Sequence, residues 1–262
     1  MSSVEFQDVF VPAAGGQLFV RRWTPDAPAA NGVPIVLMHD SLGCVELWRD
    51  FPGQLATATG REVIAYDRLG FGRSDPYSGT LGVDFVVREP IEGFRAVREA
   101  LGLDQFAAFG HSVGGGMAIA SAAAYPQSCR GLITESAQVY AEERTLEGIR
   151  QARVSFAQPG QLDRLKKYHG DKAAWVLSAW IDTWLSPDFA DWTLDPQLAQ
   201  VKCPAVALHG DNDEYGSTVH AQRIAQLAGA QPVIFENCGH VPHREMPEQV
   251  LETVSGWLKR NA

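Results

Sequence analysis

The chain has little of what membrane, secreted or nucleic-acid-binding proteins require. No apolar run approaches the roughly 18 residues that a membrane-spanning helix needs, and the N-terminus lacks the basic and apolar segments of a signal peptide. The 22 Lys and Arg residues are outnumbered by 31 Asp and Glu residues, which gives a net charge of −9. Since nucleic acids and anionic membranes are themselves negative, this charge disfavours both as partners.

Cysteine is scarce as well. Cys44, Cys129, Cys203 and Cys238 show no Cys-x-x-Cys spacing. We interpret them as reduced packing residues of a cytoplasmic protein, because disulfides are typical of oxidising compartments and zinc sites need clustered ligands. The sequence therefore predicts no metal and no cofactor, and a small-molecule substrate as the partner. It is compatible with a homo-oligomer but does not determine the oligomeric state.

A Gly-x-Ser-x-Gly motif is the strongest signal that the chain does contain. A short apolar stretch ending at Phe109 leads into Gly110-His111-Ser112-Val113-Gly114 and then directly into small helix-forming residues. Such a strand–turn–helix context lifts a serine onto a sharp turn, where the neighbouring residues must lack a Cβ. Free N–H groups at the start of the helix can receive developing negative charge. The motif predicts that Ser112 is a nucleophile.

Two downstream residues suit the partners that such a serine needs. Asp213 follows a predicted buried strand, 204–210, and His240 follows a predicted strand, 233–235. Both are therefore expected just beyond the C-terminal ends of strands, where open α/β sheets bind ligands. A histidine can take the serine proton, and a carboxylate can fix the tautomer of that histidine. We predict a catalytic triad of Ser112, Asp213 and His240.

Strand and helix patterns alternate along most of the chain. The predicted strands cover 4–11, 18–23, 34–38, 62–66, the segment before Gly110, 131–134, 204–210 and 233–235, and the predicted helices cover 47–59, 85–101 and the segment from the serine motif to about 125. This alternation predicts an α/β fold, with one mostly parallel central sheet and helices on both faces.

The alternation stops between residues 139 and 200, where only helical patterns occur. We interpret 139–200 as a helical cap inserted into a core formed by 1–138 and 201–262. The cap is rich in tryptophan, and we expect Trp175, Trp180 and Trp184 to shape an apolar substrate pocket. The alternative is that these tryptophans only pack the cap against the core.

Together these motifs resemble the α/β-hydrolase superfamily over nearly the whole chain, and its capped serine esterase and C–C hydrolase branch in particular. The segment 39–43, His-Asp-Ser-Leu-Gly, is similar to the His-Gly-x-Pro oxyanion loop of that branch. The resemblance implies an oxyanion hole made by the backbone N–H groups of Ser41 and Val113. Asp40 stands where the family usually has glycine, and we expect its carboxylate to bond the local backbone.

Two other histidines lie close to these motifs. His111 precedes the serine, as it often does in the family that the chain resembles, and we interpret it as a packing residue. His243 lies three residues after His240 and is expected at the surface.

Three hypotheses for the function follow. The first is a carboxylesterase-like serine hydrolase that cleaves an ester, thioester or lactone of a small apolar or aromatic substrate through an acyl-enzyme. The second is C–C bond hydrolysis or cofactor-independent oxygenation by an Asp213–His240 base dyad. The third is a non-catalytic ligand receptor, against which the complete triad argues. A serine at the elbow disfavours chemistry that needs a carboxylate nucleophile.

Overall fold

An eight-stranded sheet forms the centre of the computed structural model, which describes residues 4–29 and 32–262. The strands are β1 (Glu5–Ala13), β2 (Gly16–Thr24), β3 (Ile35–Met38), β4 (Val63–Tyr66), β5 (Phe106–His111), β6 (Cys129–Glu135), β7 (Ala205–Gly210) and β8 (Gln231–Phe235). Their order across the sheet is β1-β2-β4-β3-β5-β6-β7-β8. β1, β2 and β4 pair antiparallel, and all the remaining pairs are parallel. The predicted mostly parallel α/β sheet is confirmed.

Helices cover both faces of this sheet. They are α1 (Phe51–Thr59), α2 (Phe85–Arg88), α3 (Gly93–Ala100), α4 (Val113–Ala124), α5 (Glu143–Phe156), α6 (Asp163–His169), α7 (Ala173–Trp184), α8 (Asp195–Leu198), α9 (Val219–Ala228), α10 (Pro242–Glu245) and α11 (Pro247–Asn261). Short 3₁₀ turns occupy Val45–Trp48, Glu89–Ile91, Gly170–Lys172 and Pro187–Phe189. In the described part of the chain, no helix is both long and apolar enough to cross a bilayer.

Side chains of the central strands point alternately to the two faces of the sheet, and a hydrophobic core lies on each face. Val36 and Met38 of β3 face one core with α3, α4 and α9, whereas Ile35 and Leu37 face the other with α1 and α11. Because successive side chains of a strand point to opposite faces, a strand covered on both sides must be apolar throughout. All four residues of β3 are indeed buried.

One predicted helix, 85–101, is broken in the structure. α2 ends at Arg88, a 3₁₀ turn follows over Glu89–Ile91, and α3 begins at Gly93. Pro90 lies inside the turn and lacks the N–H that a continuous helix would need, so the helix restarts after it.

Every residue of the segment 139–200 is described, and it contains α5 to α8 without a strand. An isolated bridge pairs Tyr140 with Thr193, near the two ends of this segment. The segment leaves the sheet at the C-terminal end of β6 and returns at the N-terminal end of β7. Its division from the core as a cap remains a prediction.

Candidate active site

The turn that carries Ser112 is strained. Ser112 lies between β5 and α4 with φ 57° and ψ −126°, a backbone conformation that residues with a Cβ rarely adopt. A Cβ on Gly110 would overlap the carbonyl of Gly114, and a Cβ on Gly114 would overlap the carbonyl of Met38. The two glycines therefore allow the close packing of strands and helix that this turn requires.

His240 and Asp213 are in direct contact. Nδ1 of His240 lies 2.9 Å from both carboxylate oxygens of Asp213, which is fully buried in the turn after β7. The same carboxylate accepts hydrogen bonds from the backbone N–H groups of Tyr215, at 2.8 Å, and Gly216, at 3.1 Å. Burial alone would raise the pKa of Asp213, but hydrogen bonds from His209 and His240 hold it well below its usual range. Asp213 is therefore ionised and fixes the Nδ1–H tautomer of His240.

A cavity of about 110 Å³ brings the predicted residues together. It is lined by Asp40, Ser41, Leu42, Ser112, Gln138, Thr145, Ile149, Trp180, Trp184, Tyr215 and His240. The predicted nucleophile, its predicted base and one predicted oxyanion donor thus face one space, although they come from different strand ends.

Gln138 is a site residue that the sequence reasoning missed. The hydroxyl of Ser112 donates a hydrogen bond to Oε1 of Gln138, at 3.2 Å. Gln138 follows β6 by three residues and is buried at the C-terminal edge of the sheet. The position of Gln138 just after a predicted strand is the sequence signal from which it could have been predicted. Among the described residues, the Ser112 hydroxyl makes this bond and makes none to His240.

The predicted oxyanion donors are free to bind a ligand. Among the hydrogen bonds of the described residues, neither the Ser41 N–H nor the Val113 N–H has a protein acceptor. Val113 is the first residue of α4, where helical N–H groups have no partner within the helix. Ser41 lies in the loop after β3 and lines the same cavity.

Asp40 places a negative charge at the edge of the cavity. Its Oδ1 accepts a hydrogen bond from the backbone N–H of Leu42 at 3.2 Å, which is the local bond expected from the sequence. Its Oδ2 lies 3.5 Å from Nδ1 of His111, and its side chain is 28% exposed. Burial would raise the pKa of Asp40, but the neighbouring His111 outweighs it and lowers the pKa well below the usual range.

The predicted surface position of His243 is wrong. His243 is buried at 3% exposure, and both its backbone N–H and its Nδ1 contact the carboxylate of the buried Glu135. His111 lies beside this pair and donates from Nε2 to the backbone carbonyl of His240, at 2.9 Å. These bonds hold the segment around His240 against the ends of β5 and β6. One possible ligand atom from each of the three side chains lies within 4.8 Å of the other two, but the Glu135 carboxylate is already bonded by His243, so we assign no metal to them.

Two of the three predicted pocket tryptophans line the cavity. Trp180 and Trp184 do so, whereas Trp175 stacks on Tyr77 with ring centroids 5.2 Å apart and donates to the carbonyl of Gly79. The expectation for Trp175 is therefore corrected. Five residues along a helix turn the side chain through about 140°, so Trp175 and Trp180 of α7 face different directions.

Comparison with known proteins gives the same architecture. Residues 33–159 match the family model of the alpha/beta hydrolase fold. The crystal structure of a proline iminopeptidase from Mycobacterium smegmatis superposes with a TM-score of 0.78 at 19% identity, covering 97% of this chain and 98% of that one. This chain has the α/β-hydrolase fold. A thermophilic esterase from Thermogutta terrifontis superposes with a TM-score of 0.73 at 20% identity, covering 97% and 98% of the two chains.

Sequence comparison alone also finds relatives along most of the chain. A proline iminopeptidase of Lactobacillus delbrueckii subsp. bulgaricus is 25% identical over 269 residues, covering 88% of this chain and 91% of the relative. The comparisons support a hydrolase of the α/β-hydrolase fold. The proteins to which the chain is similar include a proline iminopeptidase and an esterase, so the comparisons do not determine which kind of bond this chain cleaves.

Proposed function

We propose that the protein is a serine hydrolase that cleaves a carboxylic ester, thioester or lactone through an acyl-enzyme. The observation that carries this proposal is that Ser112, on its strained elbow, faces the same cavity as His240, whose Nδ1 is held by the ionised Asp213. The proposed location is the cytoplasm, in keeping with four cysteines that form no disulfide.

Each residue has a distinct role in this proposal. The Ser112 hydroxyl attacks the substrate carbonyl while Nε2 of His240 takes its proton and later returns it to the leaving group. Asp213 stabilises the imidazolium that forms. The N–H groups of Ser41 and Val113 bind the oxyanion, where preorganised donors stabilise the developing charge.

The size and lining of the cavity favour a small apolar acyl group. Its volume of about 110 Å³ is below the roughly 150 Å³ of an engineered protein cavity that holds benzene. Ile149, Trp180 and Trp184 supply apolar surface opposite the polar residues. We therefore propose esters with a short aliphatic acyl group as the substrates.

Turnover of p-nitrophenyl esters of graded chain length tests this proposal. We expect the acetate and propionate esters to be hydrolysed and the long-chain esters to be poor substrates. Ser112→Ala should lower kcat by several orders of magnitude, about 10⁶-fold if the triad acts as a unit, and abolish labelling by a fluorophosphonate. Labelling at another residue, or turnover that persists without Ser112, would contradict the nucleophile assignment and favour the Asp213–His240 dyad.

A second candidate is hydrolysis of an amide next to a free amino group. Asp40 favours it, because an ionised carboxylate at the cavity edge would attract an ammonium group near the scissile carbonyl. The proline iminopeptidases to which the chain is similar carry an activity of this class in their names.

Matched substrates separate the two candidates. If amide hydrolysis is the function, proline p-nitroanilide is turned over with a higher kcat/KM than p-nitrophenyl acetate, and Asp40→Asn removes most of the difference. If ester hydrolysis is the function, the acetate is the better substrate, and Asp40→Asn changes its kcat/KM little, because Asn keeps an oxygen that can accept from Leu42.

A further inference from the structure

Two of the four cysteines lie close together at the N-terminal ends of two neighbouring strands. The candidate active site lies at the opposite, C-terminal ends of the strands. Cys129 is the first residue of β6, and Cys203 lies two residues before β7. β6 and β7 are parallel neighbours, so their N-terminal ends lie side by side. The two Sγ atoms are 3.6 Å apart, although the residues are separated by 74 positions in the sequence.

The two thiols have unequal surroundings. Cys129 is buried at 2% exposure, whereas Cys203 is partly exposed. The contact with the Cys129 thiol lowers the pKa of Cys203, and the same contact together with burial raises the pKa of Cys129. Cys203 is thus the more readily ionised and more accessible sulfur, and Cys129 is the protonated partner behind it. Redox-active cysteines are typically accessible thiolates with a second thiol within reach.

We propose that Cys129 and Cys203 are a redox-modification site, at which a peroxide converts the two thiols into a reversible disulfide. The Cys203 thiolate attacks one oxygen of hydrogen peroxide, the O–O bond breaks, and the products are a sulfenic acid and hydroxide. Cys129 loses its proton and attacks the sulfenic sulfur, which expels the second hydroxide. Overall, two thiols and one peroxide give one disulfide and two waters.

The contact already present makes this step geometrically accessible. A disulfide needs the sulfur atoms about 2 Å apart, so the side chains must close a gap of only about 1.5 Å. The closed loop would contain the whole helical segment 139–200, with one cysteine on each side of it. A crosslink across so long a loop restricts the unfolded chain and raises the thermal stability of the folded one.

Peroxide treatment of the reduced protein tests the proposal. We expect the number of titratable thiols in the denatured protein to fall from the four of the sequence to two, and the mass to fall by about 2 Da, as two hydrogens are lost. A peptide containing both Cys129 and Cys203 should appear, dithiothreitol should reverse every change, and Tm should rise by about 5–10 °C.

Cysteine variants provide the controls. Cys203→Ser should retain all three remaining thiols at peroxide doses that oxidise the wild type, whereas Cys44→Ser should still lose two. Cys203 is partly exposed, so its variant is expected to fold, and circular dichroism checks this. A disulfide between other cysteines, over-oxidation of Cys203 without a crosslink, or four unchanged thiols would each overturn the proposal. None of these outcomes depends on the proposed hydrolase activity.

Discussion

Asp213 is shared by two histidines. Its carboxylate contacts Nδ1 of His240 at 2.9 Å and lies 3.3 Å from Nε2 of His209. The nearby Asp211 is exposed, and its carboxylate accepts a 3.4 Å hydrogen bond from the backbone N–H of Cys238. Both carboxylates follow β7, but only Asp213 can orient the imidazole of His240.

We predict that Asp213→Asn lowers kcat on the best ester by about 10⁴-fold, because an amide at this position no longer imposes the reactive tautomer. Asp211→Asn is the matched control and should change kcat little. Steady-state kinetics of the two variants checks the prediction. Equal losses in both, or a larger loss in Asp211→Asn, would show that the wrong carboxylate has been assigned to His240.

At the scale of elements, helix α7 carries one tryptophan that lines the cavity and one that does not. Trp180 lines the cavity and lies with its ring centroid 6.0 Å from that of Tyr215, whereas Trp175 packs outside it. Truncation at the two positions removes the same atoms from the same helix. Only one of the two truncations enlarges the cavity.

We predict that Trp180→Ala shifts the preferred acyl chain to a greater length. The ratio of kcat/KM for the hexanoate ester to that for the acetate ester should rise at least tenfold, the scale on which one methylene is discriminated in an apolar pocket. Trp175→Ala should leave this ratio unchanged after circular dichroism confirms the fold. An unchanged ratio in Trp180→Ala would mean that Trp180 does not limit the acyl chain.

The elements and the elbow were predictable because their signals are local. The apolar runs of β3 and β5, and the Gly-x-Ser-x-Gly turn between β5 and α4, depend on a few consecutive residues. The contact of His243 with Glu135 spans 108 positions, and that of Cys203 with Cys129 spans 74. Such pairs depend on strand order, which neither residue reveals alone, so His243 was assigned to the surface.

At the scale of the whole molecule, Glu142 joins the start of the helical segment to the core. Its carboxylate accepts bonds from the backbone N–H of Ser217, at 2.9 Å, and from the Ser217 hydroxyl, at 2.6 Å, and it lies 3.2 Å from Nε2 of His220. The hydrogen bond from His220 lowers the pKa of Glu142 from its ordinary value of 4.5 to about 2.

Because the folded-state pKa is the lower one, the stabilisation by Glu142 is present above about pH 4.5 and is lost as the pH falls towards 2. We predict that Glu142→Gln lowers the free energy of unfolding by about 1–2 kcal/mol at pH 7, allowing for solvent screening, and by about half of that or less at pH 3. Urea unfolding at both pH values measures this. Glu143→Gln is the control, since the Glu143 side chain is 76% exposed. An equal loss of unfolding free energy at both pH values in Glu142→Gln would contradict the prediction.

The position of β8 at the edge of the sheet has a consequence for local unfolding. Ser112 follows β5, which has a neighbouring strand on both sides. His240 follows β8, which pairs on one side only within the described part of the chain, and three of the five residues of β8 are exposed. Edge elements with few buried contacts open at a lower free energy than the centre of a domain, and their amide hydrogens exchange earlier. Mild denaturant should therefore displace His240 from the cavity that Ser112 lines while the elbow and the central strands stay folded, so that reversible inactivation precedes global unfolding.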